Sequence, residues 1–507
     1  MKQLIGIILL GIIFISCNKI DEPVATKLEI NKAELILRTG EKEKLQIVSV
    51  PATNEPAEWT SSDETVATVF IGEVTAEAVG TTTITVTMGK YSAQCVVIVP
   101  EKEVGSVQAR SKKRGVSYNF TNRNDVQALG TAISWSYNWG TEHSAALEDV
   151  FTEYDLDYCP MAWNNIDANR LRAYKAAHPK CQYLLAFNEP NLKDQANMTP
   201  AQVAEKWPAL QSIAQELNLK IISPAMNYGT LENYGDPVKW LDEFFSLVPL
   251  SGIDGISIHC YMANAGATKS YIDRFKKYNK PIWLTEFCAW DGVNANNFKL
   301  EGQMKYMSDI INYMESDPAV FRYAWFIPKG DNRVEDFPYQ YLLTKTSPSA
   351  LTPLGQIFTQ ISSQDKNLWY NEGLLIEAEH YSSICIAEGV NDGWVDGPAV
   401  RLTSDGAGQS LELYNFFAEQ WVEYQVDIRS AEDLQLVFRY ATFIDTDVEI
   451  YFDNALNTTY TFTSTGQDFI WNTASAKIHP TPGKHVLRLK VIKGALCLNW
   501  LQTKIKK

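Results

Sequence analysis

The sequence of 507 residues has no excess of basic residues: 45 Lys and Arg stand against 60 Asp and Glu, a formal net charge of −15. An acidic surface repels phosphates, so no nucleic-acid partner is expected. The eight cysteines include no Cys-x-x-Cys pair, so neither a zinc motif of that kind nor a dense disulfide framework is indicated. The sequence also contains no Walker loop, no Gly-rich dinucleotide loop and no Ser-His-Asp spacing. It therefore gives no motif that would indicate nucleotide binding or a serine hydrolase.

The sequence has little that could cross a membrane. Its apolar run at residues 4–15 is too short to span a bilayer comfortably, but it has the length of a signal-peptide core. The run ends at Phe14-Ile15-Ser16-Cys17, which resembles a bacterial lipobox with Phe14 where Leu is usual. The resemblance implies that residues 1–17 are a lipoprotein signal and that Cys17 carries lipid, which would anchor the protein to the outer membrane at the cell surface. An ordinary signal peptide that contains a cysteine is the alternative.

The length predicts about three domains. Residues 25–100 consist of short strand-like segments separated by turn clusters, which is typical of a small β-sandwich. Residues 101–113 are charged and poor in apolar side chains, and we expect a linker there. Two strings in the first region resemble the bacterial Ig-like group 2 domain, which implies a spacer or adhesion module: Glu58-Trp59-Thr60-Ser61-Ser62-Asp63 and Ala78-Val79-Gly80-Thr81-Thr82-Thr83.

Residues 114–363 alternate between apolar strand-like runs and amphipathic helical patterns. One helix is predicted at residues 201–217, where Val203, Trp207 and Leu210 recur on one face. Eight βα units in about 250 residues is the size of a (β/α)8 TIM barrel, and a doubly wound sheet is the alternative. The eight strands are predicted at residues 114–118, 132–135, 158–163, 182–187, 220–224, 255–259, 281–286 and 322–326.

Residues 368–507 return to an all-β pattern, with alternation such as Trp421-Val422-Glu423-Tyr424, and predict a second sandwich of jelly-roll size. The predicted fold class is therefore multidomain: a central TIM barrel flanked by an N-terminal Ig-like β-sandwich and a C-terminal β-sandwich. We expect a monomer.

Two of the predicted barrel strands end in a carboxylate. Strand four leads into Asn188-Glu189-Pro190, and strand seven ends at Glu286. A Glu at the end of a buried strand is costly unless it is paired or functional. Barrel enzymes carry their catalytic groups at these strand ends, and glycoside hydrolysis needs two carboxyls that face one another. A glutamate stabilised by a helix dipole and a structural ion pair are the alternatives for Glu189 and Glu286, respectively.

Asn-Glu-Pro at strand four with Glu at strand seven resembles clan A of the glycoside hydrolases, which are retaining (β/α)8 enzymes. That resemblance implies that Glu189 is the acid/base, that Glu286 is the nucleophile and that Asn188 binds the 2-hydroxyl of the sugar. No cofactor is implied for catalysis. Longer strings resemble glycoside hydrolase family 128, which implies an endo-acting β-1,3-glucanase: Gly115-Val116-Ser117-Tyr118-Asn119, Ser134-Trp135-Ser136-Tyr137-Asn138-Trp139, Leu185-Ala186-Phe187-Asn188-Glu189-Pro190-Asn191, His259-Cys260-Tyr261 and Leu284-Thr285-Glu286-Phe287.

Other residues at the strand ends are candidates for binding the substrate. We expect Asn164 to contact substrate and Tyr261 to donate a hydrogen bond to Glu286 and keep it ionised. His259 is more typical of a buried, hydrogen-bonded residue than of a catalytic one. Stacking on sugar rings is predicted for a set of indoles, for each of which core packing is an equal alternative: Trp135, Trp139, Trp163, Trp290 and Trp325.

The C-terminal module carries a second set of candidates. Leu375-Ile376-Glu377-Ala378-Glu379-His380-Tyr381 and Leu496-Cys497-Leu498-Asn499-Trp500 resemble carbohydrate-binding module family 6. The resemblance implies a structural calcium at Glu377 and Glu379, although calcium needs several oxygen ligands and only these two are visible. It also implies an accessory sugar site for which Trp471, Trp394 and Phe417 are the aromatic candidates. Cys497 stands where an Asn is expected, which puts sugar binding in the usual cleft in doubt.

Three functions fit these features. The leading hypothesis is a retaining endo-hydrolase of a polysaccharide, β-1,3-glucan, at the cell surface. A second is the same machinery acting on another β-glycan, such as a β-galactan or a mixed-linkage glucan. A third is a surface adhesin that binds glycan without cleaving it, and the presence of both Glu189 and Glu286 counts against it.

Overall fold

A computed structural model describes residues 27–37, 39–50, 56–100, 105–290, 299–330, 339–388, 395–406, 408 and 410–505. The predicted signal segment, the predicted lipidation site Cys17 and the candidate Trp394 lie outside these residues. In the described part, no helix combines the length and the apolarity needed to cross a membrane. The chain divides into two compact units at residues 103 and 104.

The first unit consists of short strands, as the turn spacing predicts. β8 and β9 form its longest hairpin, and their side chains alternate between buried and exposed positions. Ile84, Val86, Cys95 and Val97 are fully buried, which is the period-two pattern of a sheet with one covered face. The strands are β1 (Lys27–Ile30), β2 (Glu34–Ile36), β3 (Lys42–Lys44), β4 (Ile47–Val50), β5 (Glu58–Ser61), β6 (Ala67–Phe70), β7 (Glu73–Ala76), β8 (Gly80–Met88) and β9 (Tyr91–Val99).

The second unit begins with alternating strands and helices. The strands are β10 (Arg114–Ser117), β11 (Trp135–Tyr137), β12 (Asp157–Tyr158), β13 (Tyr183–Leu185), β14 (Lys220–Ile222), β15 (Ile256–Cys260), β16 (Ile282–Phe287) and β17 (Val320–Phe326). The helices are α1 (Arg123–Gly130), α2 (Glu148–Glu153), α3 (Ala168–Ala177), α4 (Pro200–Glu216), α5 (Pro237–Leu247), α6 (Ala265–Asp273), α7 (Leu300–Ser316) and α8 (Pro353–Gln360).

All strand pairs in this region are parallel. A continuous ladder joins six strands in the order β12-β11-β10-β17-β16-β15, and β13 pairs with β14 separately. Single parallel bridges connect the pair to the ladder on both sides, from Met161 to Leu185 and from Ile222 to Gly255. The predicted continuous eight-stranded sheet is therefore present as a six-stranded ladder and a two-stranded one. Pro160 follows β12 and has no N–H to donate, so it contributes only its carbonyl, which accepts from the Leu185 amide at 2.9 Å.

Helix α4 illustrates how local sequence fixes these elements. Thr199 caps its start, and Gln202 returns a hydrogen bond to the cap, which together satisfy two of the free N–H groups of the first turn. Pro200 occupies the first turn, where its missing N–H costs nothing. The buried face carries the predicted Trp207 and Leu210, which confirms the helical periodicity.

The predicted linker at residues 101–113 is wrong in its second part. Gly105 forms a parallel bridge with Leu375, and the Ser106 hydroxyl lies 2.6 Å from Nδ1 of His380. The Gln108 side chain donates to the Gln360 carbonyl at 2.6 Å. These polar side chains make specific contacts with later parts of the chain, which low local hydrophobicity does not reveal.

The C-terminal region is a two-sheet β-structure. One sheet has the order β18-β25-β30-β27-β28 with β20 beside β25, and the other has the order β23-β24-β31-β26-β29 with β19 beside β31; β21 and β22 pair separately. The strands are β18 (Tyr370–Asn371), β19 (Leu375–Glu377), β20 (Ser383–Ile384), β21 (Ala387–Glu388), β22 (Val395–Asp396), β23 (Ala399–Leu402), β24 (Leu411–Phe417), β25 (Trp421–Ile428), β26 (Leu434–Ala441), β27 (Thr446–Phe452), β28 (Ala455–Phe462), β29 (Asn472–Ile478), β30 (Gly483–Lys493) and β31 (Ala495–Ile505).

This C-terminal β-structure packs against helix α7 of the preceding region. The fully buried Tyr381 hydroxyl donates to Oδ1 of Asn312 at 2.5 Å, and the Ser308 hydroxyl accepts from the Val400 amide at 2.8 Å. Buried apolar side chains of both regions belong to one continuous core. We therefore expect the two regions to unfold together.

Replacement of Tyr381 by Phe tests this coupling. The change leaves Asn312 without its donor in a buried site, which costs about 1–3 kcal/mol of unfolding free energy. Urea unfolding followed by tryptophan fluorescence and by circular dichroism is expected to show one transition at a lower midpoint. Tyr451→Phe, which removes a contact with Glu449 at the surface, is the control and should leave the midpoint unchanged. Two separate transitions, only one of them shifted, would contradict the coupling.

Candidate active site

The end of β13 places Glu189. The Asn188 amide donates to the Trp163 carbonyl at 2.8 Å, and the Ala225 amide donates to the Phe187 carbonyl at 2.9 Å, so both neighbouring segments hold the strand end. Glu189 is buried and has a φ of 43°, in the left-handed region that non-glycine residues seldom adopt. Such conformations cluster at functional sites, where surrounding structure maintains them.

The end of β16 places Glu286. The register between β15 and β16 shifts between Ile258 and His259, so that His259 stands opposite Glu286. Irregularities of this kind re-aim side chains near active sites. Glu286 is only 4% exposed, and a buried carboxylate needs hydrogen-bond donors.

Three donors from the described residues surround the Glu286 carboxylate. The Tyr137 hydroxyl donates to Oε1 at 2.9 Å, and the Trp139 indole N–H donates to the same oxygen at 2.7 Å. The Tyr261 hydroxyl donates to Oε2, as the sequence predicts. The pKa values of both tyrosines are raised far above the ordinary value, mainly by burial, so both hydroxyls stay protonated.

His259 lies between the two carboxylates. Its Nδ1 is 2.9 Å from Oε1 of Glu189 and 3.5 Å from Oε2 of Glu286. The two oxygens are therefore at most about 6.4 Å apart, the sum of these distances. Asn227 donates a further hydrogen bond to Oε1 of Glu189 at 3.2 Å. Carboxyl groups about 5–5.5 Å apart are typical of retaining glycosidases, whereas about 6.5–9.5 Å is typical of inverting ones.

These three groups titrate as one network. Burial raises the pKa of Glu286, and the charge of Glu189 adds to the rise against the opposing effect of His259. The pKa of Glu189 is also pushed up by burial, but the charge and hydrogen bond of His259 outweigh this and lower it. Burial disfavours the charged form of His259, yet the two carboxylates raise its pKa. A proton taken up here belongs to the network rather than to one residue.

Family models match three parts of the chain. A glycosyl hydrolase catalytic core matches residues 115–358, a carbohydrate-binding module of family 6 matches residues 389–504, and a bacterial Ig-like domain of group 2 matches residues 24–99. All three domain resemblances predicted from the sequence are confirmed.

Solved relatives identify the family of the core. An endo-β-1,3-glucanase of family GH128, subgroup II, from Pseudomonas viridiflava is 39% identical to this chain. The match covers 98% of that protein and 49% of this chain, with a TM-score of 0.46. Another from Sorangium cellulosum is 32% identical, with 97% of its length and 49% of this chain covered and a TM-score of 0.42. The chain belongs to glycoside hydrolase family 128. The family assignment rests on sequence identities of 39% and 32% that extend over nearly the whole length of these two relatives.

The family 128 chain also resembles a curated protein, Alkali-sensitive linkage protein 1 of Schizosaccharomyces pombe. The two are 29% identical over 220 residues, which are 42% of this chain and 36% of that relative. The chain thus spans about a third of the length of the curated relative that it matches.

Two of the predicted stacking residues of this family 128 protein are not available for stacking. Trp135 and Trp325 are fully buried, and their indole N–H groups donate to the carbonyls of Lys113 and Gln340, each at 3.0 Å. The prediction that sugar rings stack on them is therefore wrong, and the alternative of core packing holds. Both lie on strands whose alternation the sequence shows but whose facing neighbours it does not.

The other predicted aromatic residues lie closer to the two carboxylates. Trp290 stacks on Tyr261 with ring centres 5.3 Å apart, and Phe326 meets Trp290, Tyr261 and Trp139 edge to face at 5.1–5.8 Å. Tyr261, Trp290 and Trp139 are partly exposed. They form one aromatic group, joined through Phe326, beside Glu286.

The remaining predicted substrate residues are Trp163, Asn164 and Asn188. Trp163 is partly exposed and Asn164 is exposed, and the Trp163 carbonyl binds the Asn188 amide. The Asn188 side chain donates to Gln195 at 3.2 Å, and its buried Oδ1 has no partner among the described residues. An amide with a free buried oxygen is suited to accept a hydrogen bond from a ligand hydroxyl.

Sequence reasoning missed Tyr137 and Asn227 as partners of the two carboxylates. Tyr137 lies two residues from Trp135 and Trp139 in the Ser-Trp-Ser-Tyr-Asn-Trp string, and a polar tip on an apolar strand is a weak signal for it. Asn227 follows β14 in an irregular segment, where the sequence carries no signal. The preference for a buried, hydrogen-bonded His259 is correct as to its burial, but its position between two carboxylates was not foreseen.

The C-terminal candidates are placed as follows. Glu377, Glu379 and His380 offer ligand atoms within 4.8 Å of one another, but two carboxylates and an imidazole fall short of the six to eight oxygens that calcium takes. Calcium there stays a prediction. Trp471 donates to Ser404 at 3.0 Å, and Phe417 is 45% exposed. Cys497 is buried, with Arg401 at 3.8 Å from its sulfur.

Replacement of Tyr261 by Phe tests the electrostatics of this site. Its hydrogen bond lowers the pKa of Glu286, so its loss raises that pKa further. If Glu286 must be ionised, the acidic limb of kcat/KM against pH moves to higher pH, and activity at low pH falls most. The pH profile on a soluble glucan measures the shift. Tyr228→Phe, at an exposed tyrosine that contacts Arg274, should leave the profile unchanged. An unshifted acidic limb in the Tyr261 variant would contradict the assignment.

Proposed function

We propose that this protein is a retaining, endo-acting hydrolase of β-1,3-glucan, built on a closed (β/α)8 barrel. The observation that carries the proposal is the pair Glu189 and Glu286, whose nearest oxygens flank one nitrogen of His259 at 2.9 and 3.5 Å. The two oxygens that face His259 are at most about 6.4 Å apart, which admits the carboxyl separation of about 5–5.5 Å that is typical of retaining enzymes. Eight parallel strands linked by ladders or single bridges support the barrel.

In the first chemical step, Glu189 gives a proton to the glycosidic oxygen while Glu286 attacks the anomeric carbon. The bond between that carbon and the leaving oxygen breaks, and a glycosyl ester forms on Glu286. In the second step, Glu189 takes a proton from water, and the water oxygen attacks the anomeric carbon from the face that the leaving group vacated, which breaks the ester bond to Glu286. Two inversions give net retention, and Glu189 ends protonated as it began.

The donors around Glu286 fit its role as nucleophile. Trp139 can only donate, and the two tyrosines donate from groups that stay protonated, so all three stabilise the ionised carboxylate and its departure from the ester. In the ligand-free network burial raises the pKa of Glu286 and His259 lowers that of Glu189, the reverse of what the roles require. A sugar bound beside the two carboxyls changes their solvation and their hydrogen bonds, so the working proton distribution is that of the complex.

The substrate and the mode of attack rest on relatives. The relatives from Pseudomonas viridiflava and Sorangium cellulosum are described as endo-β-1,3-glucanases, whereas other family members, such as one from Blastomyces gilchristii, are described as exo-acting. The aromatic group of Tyr261, Trp290 and Trp139 offers partly exposed rings for sugar stacking. The unpartnered Oδ1 of Asn188 fits a contact with a sugar hydroxyl.

The accessory domains fit a protein that works on a polymer outside the cell. We propose that lipid on Cys17 anchors the protein to the membrane and that the Ig-like domain acts as a spacer. Partly exposed Trp471 and exposed Phe417 are candidates for a second glycan contact in the family 6 module. Another β-glycan as substrate stays open as the second candidate, because the same two carboxyls act on any β-linkage that the cleft admits.

Variants of the two carboxylates test the mechanism. Glu286→Ala is expected to abolish turnover, and Glu189→Ala to lower kcat by about 10²–10⁴-fold because general acid catalysis is lost. Azide should restore part of the rate of the Glu189 variant with a β-glycosyl azide as product, whereas any azide product of the Glu286 variant should be the α-azide. Glu153→Ala, at a half-exposed carboxylate paired with Arg123, is the control. A β-azide from the Glu286 variant together with an α-azide from the Glu189 variant would reverse the assigned roles.

A polysaccharide panel tests substrate and mode. Laminarin is expected to yield oligosaccharides of several lengths from the first minutes, whereas xylan and mannan should not react. Proton NMR of the first product should show the β anomer. Glucose or a single short oligomer as the only early product would contradict endo action, and an initial α anomer would contradict retention. No release from any β-1,3-glucan, with release from another β-glycan, would favour the second candidate.

A further inference from the structure

A second cluster of ligating side chains lies outside the active site, between helices α2 and α3. Nε2 of His178 is 2.8 Å and Nε2 of His143 is 3.0 Å from the same oxygen, Oε2 of Glu148. The ligand atoms of the three residues all lie within 4.8 Å of one another. None of the three contributes to the network of Glu189, Glu286 and His259.

The hydrogen bonds of His178 determine what its Nε2 offers. Nδ1 lies 3.0 Å from the main-chain carbonyl of Tyr174, which can only accept, so Nδ1 carries the proton. In the neutral ring, Nε2 then presents a lone pair to the Glu148 carboxylate, and two acceptors face each other at 2.8 Å. A cation between them, either a proton or a metal ion, removes the conflict. An Nδ1–H held by a backbone carbonyl is also how proteins orient histidine ligands.

His143 is held in place for the same cation. Its ring stacks on Phe151 at 4.3 Å and lies 5.3 Å from the ring of Tyr158, and its side chain is only 6% exposed. Nε2 lies close to Glu148 but is not aligned for a hydrogen bond, and it has no other partner among the described residues. A buried imidazole nitrogen that faces a carboxylate oxygen without a hydrogen bond destabilises the folded state unless a cation binds between the two atoms.

A cavity adjoins the cluster. It has a volume of about 330 Å³ and is lined by all three side chains together with residues at the amino ends of β12 and β13, such as Asp157 and Gln182. The catalytic candidates lie at the opposite, carboxyl ends of the strands. A metal ion bound by three protein ligands would thus have room for water at a fourth position.

We propose that His143, His178 and Glu148 bind a divalent transition-metal ion, with Zn²⁺ as the best match. Two imidazole nitrogens and one carboxylate are a ligand set that zinc takes, whereas Mg²⁺ and Ca²⁺ prefer oxygen ligands alone. The ion would tie the segment between β11 and α2 to the end of α3. It would stabilise the fold by binding the native state and not the unfolded one.

Zinc binding by the full chain, untagged and freed of metal with a chelator, tests the proposal. Equilibrium dialysis followed by elemental analysis is expected to show one zinc ion per chain, and Co²⁺ should give visible absorption bands of a four-coordinate site. Glu148→Gln and His178→Gln should each weaken binding at least tenfold and remove the rise in Tm that zinc produces. Glu148 is half-exposed, so its variant is expected to fold even if a histidine variant does not.

Matched controls are Glu153→Gln, on the same helix, and His479→Gln, at an exposed histidine near Asp433. Both should bind zinc as the unchanged chain does, and neither Mg²⁺ nor Ca²⁺ should compete at tenfold excess. Absence of zinc binding by the unchanged chain would mean that a proton alone occupies the cluster and would overturn the proposal. Undiminished binding by the Glu148 variant would overturn it as well.

Discussion

The candidate active site depends on keeping two carboxylates buried side by side. Glu189 and Glu286 are 6% and 4% exposed, and two negative charges at this distance in a poorly solvated site repel each other strongly. His259 offsets that repulsion from between them, with one nitrogen within reach of both. Hydrogen bonds supply further stabilisation of the two charges: the tyrosine and tryptophan donors bind Glu286, and the Asn227 amide binds Glu189. Removal of any one partner would leave a buried charge less compensated.

This arrangement explains why so much of the surrounding structure is irregular. Glu189 occupies the left-handed region, the register shifts at His259, and the ladder is interrupted beside β13 and β14. These irregularities lie where Glu189 and Glu286, from different strands, meet one nitrogen of His259. The regular elements around them, such as α4 and α7, provide the rigid frame that maintains the irregular ones.

Buried polar contacts also fix the structure outside the candidate active site. Tyr381 and Asn312 join the C-terminal β-structure to helix α7, and the cluster of His143, His178 and Glu148 joins α2 to α3. In each case a polar contact fixes two apolar surfaces in one relative position. Apolar packing alone allows small shifts of one surface against the other at little cost. A shift that separates a buried donor from its acceptor costs about 1–3 kcal/mol.

Local sequence determined the elements of this protein and the identity of its two carboxylates. The periodicity of Trp207 and Leu210 gives α4, and strand ends at Glu189 and Glu286 are visible because a charge after an apolar run is rare. Tertiary structure alone decided which rings are buried, as Trp135 and Trp325 show, and which donors meet Glu286. It also decided that residues 105–113 are part of the second unit and that His143 meets His178. Those contacts join residues far apart in the chain, and their distances depend on packing across several elements, which no local pattern encodes.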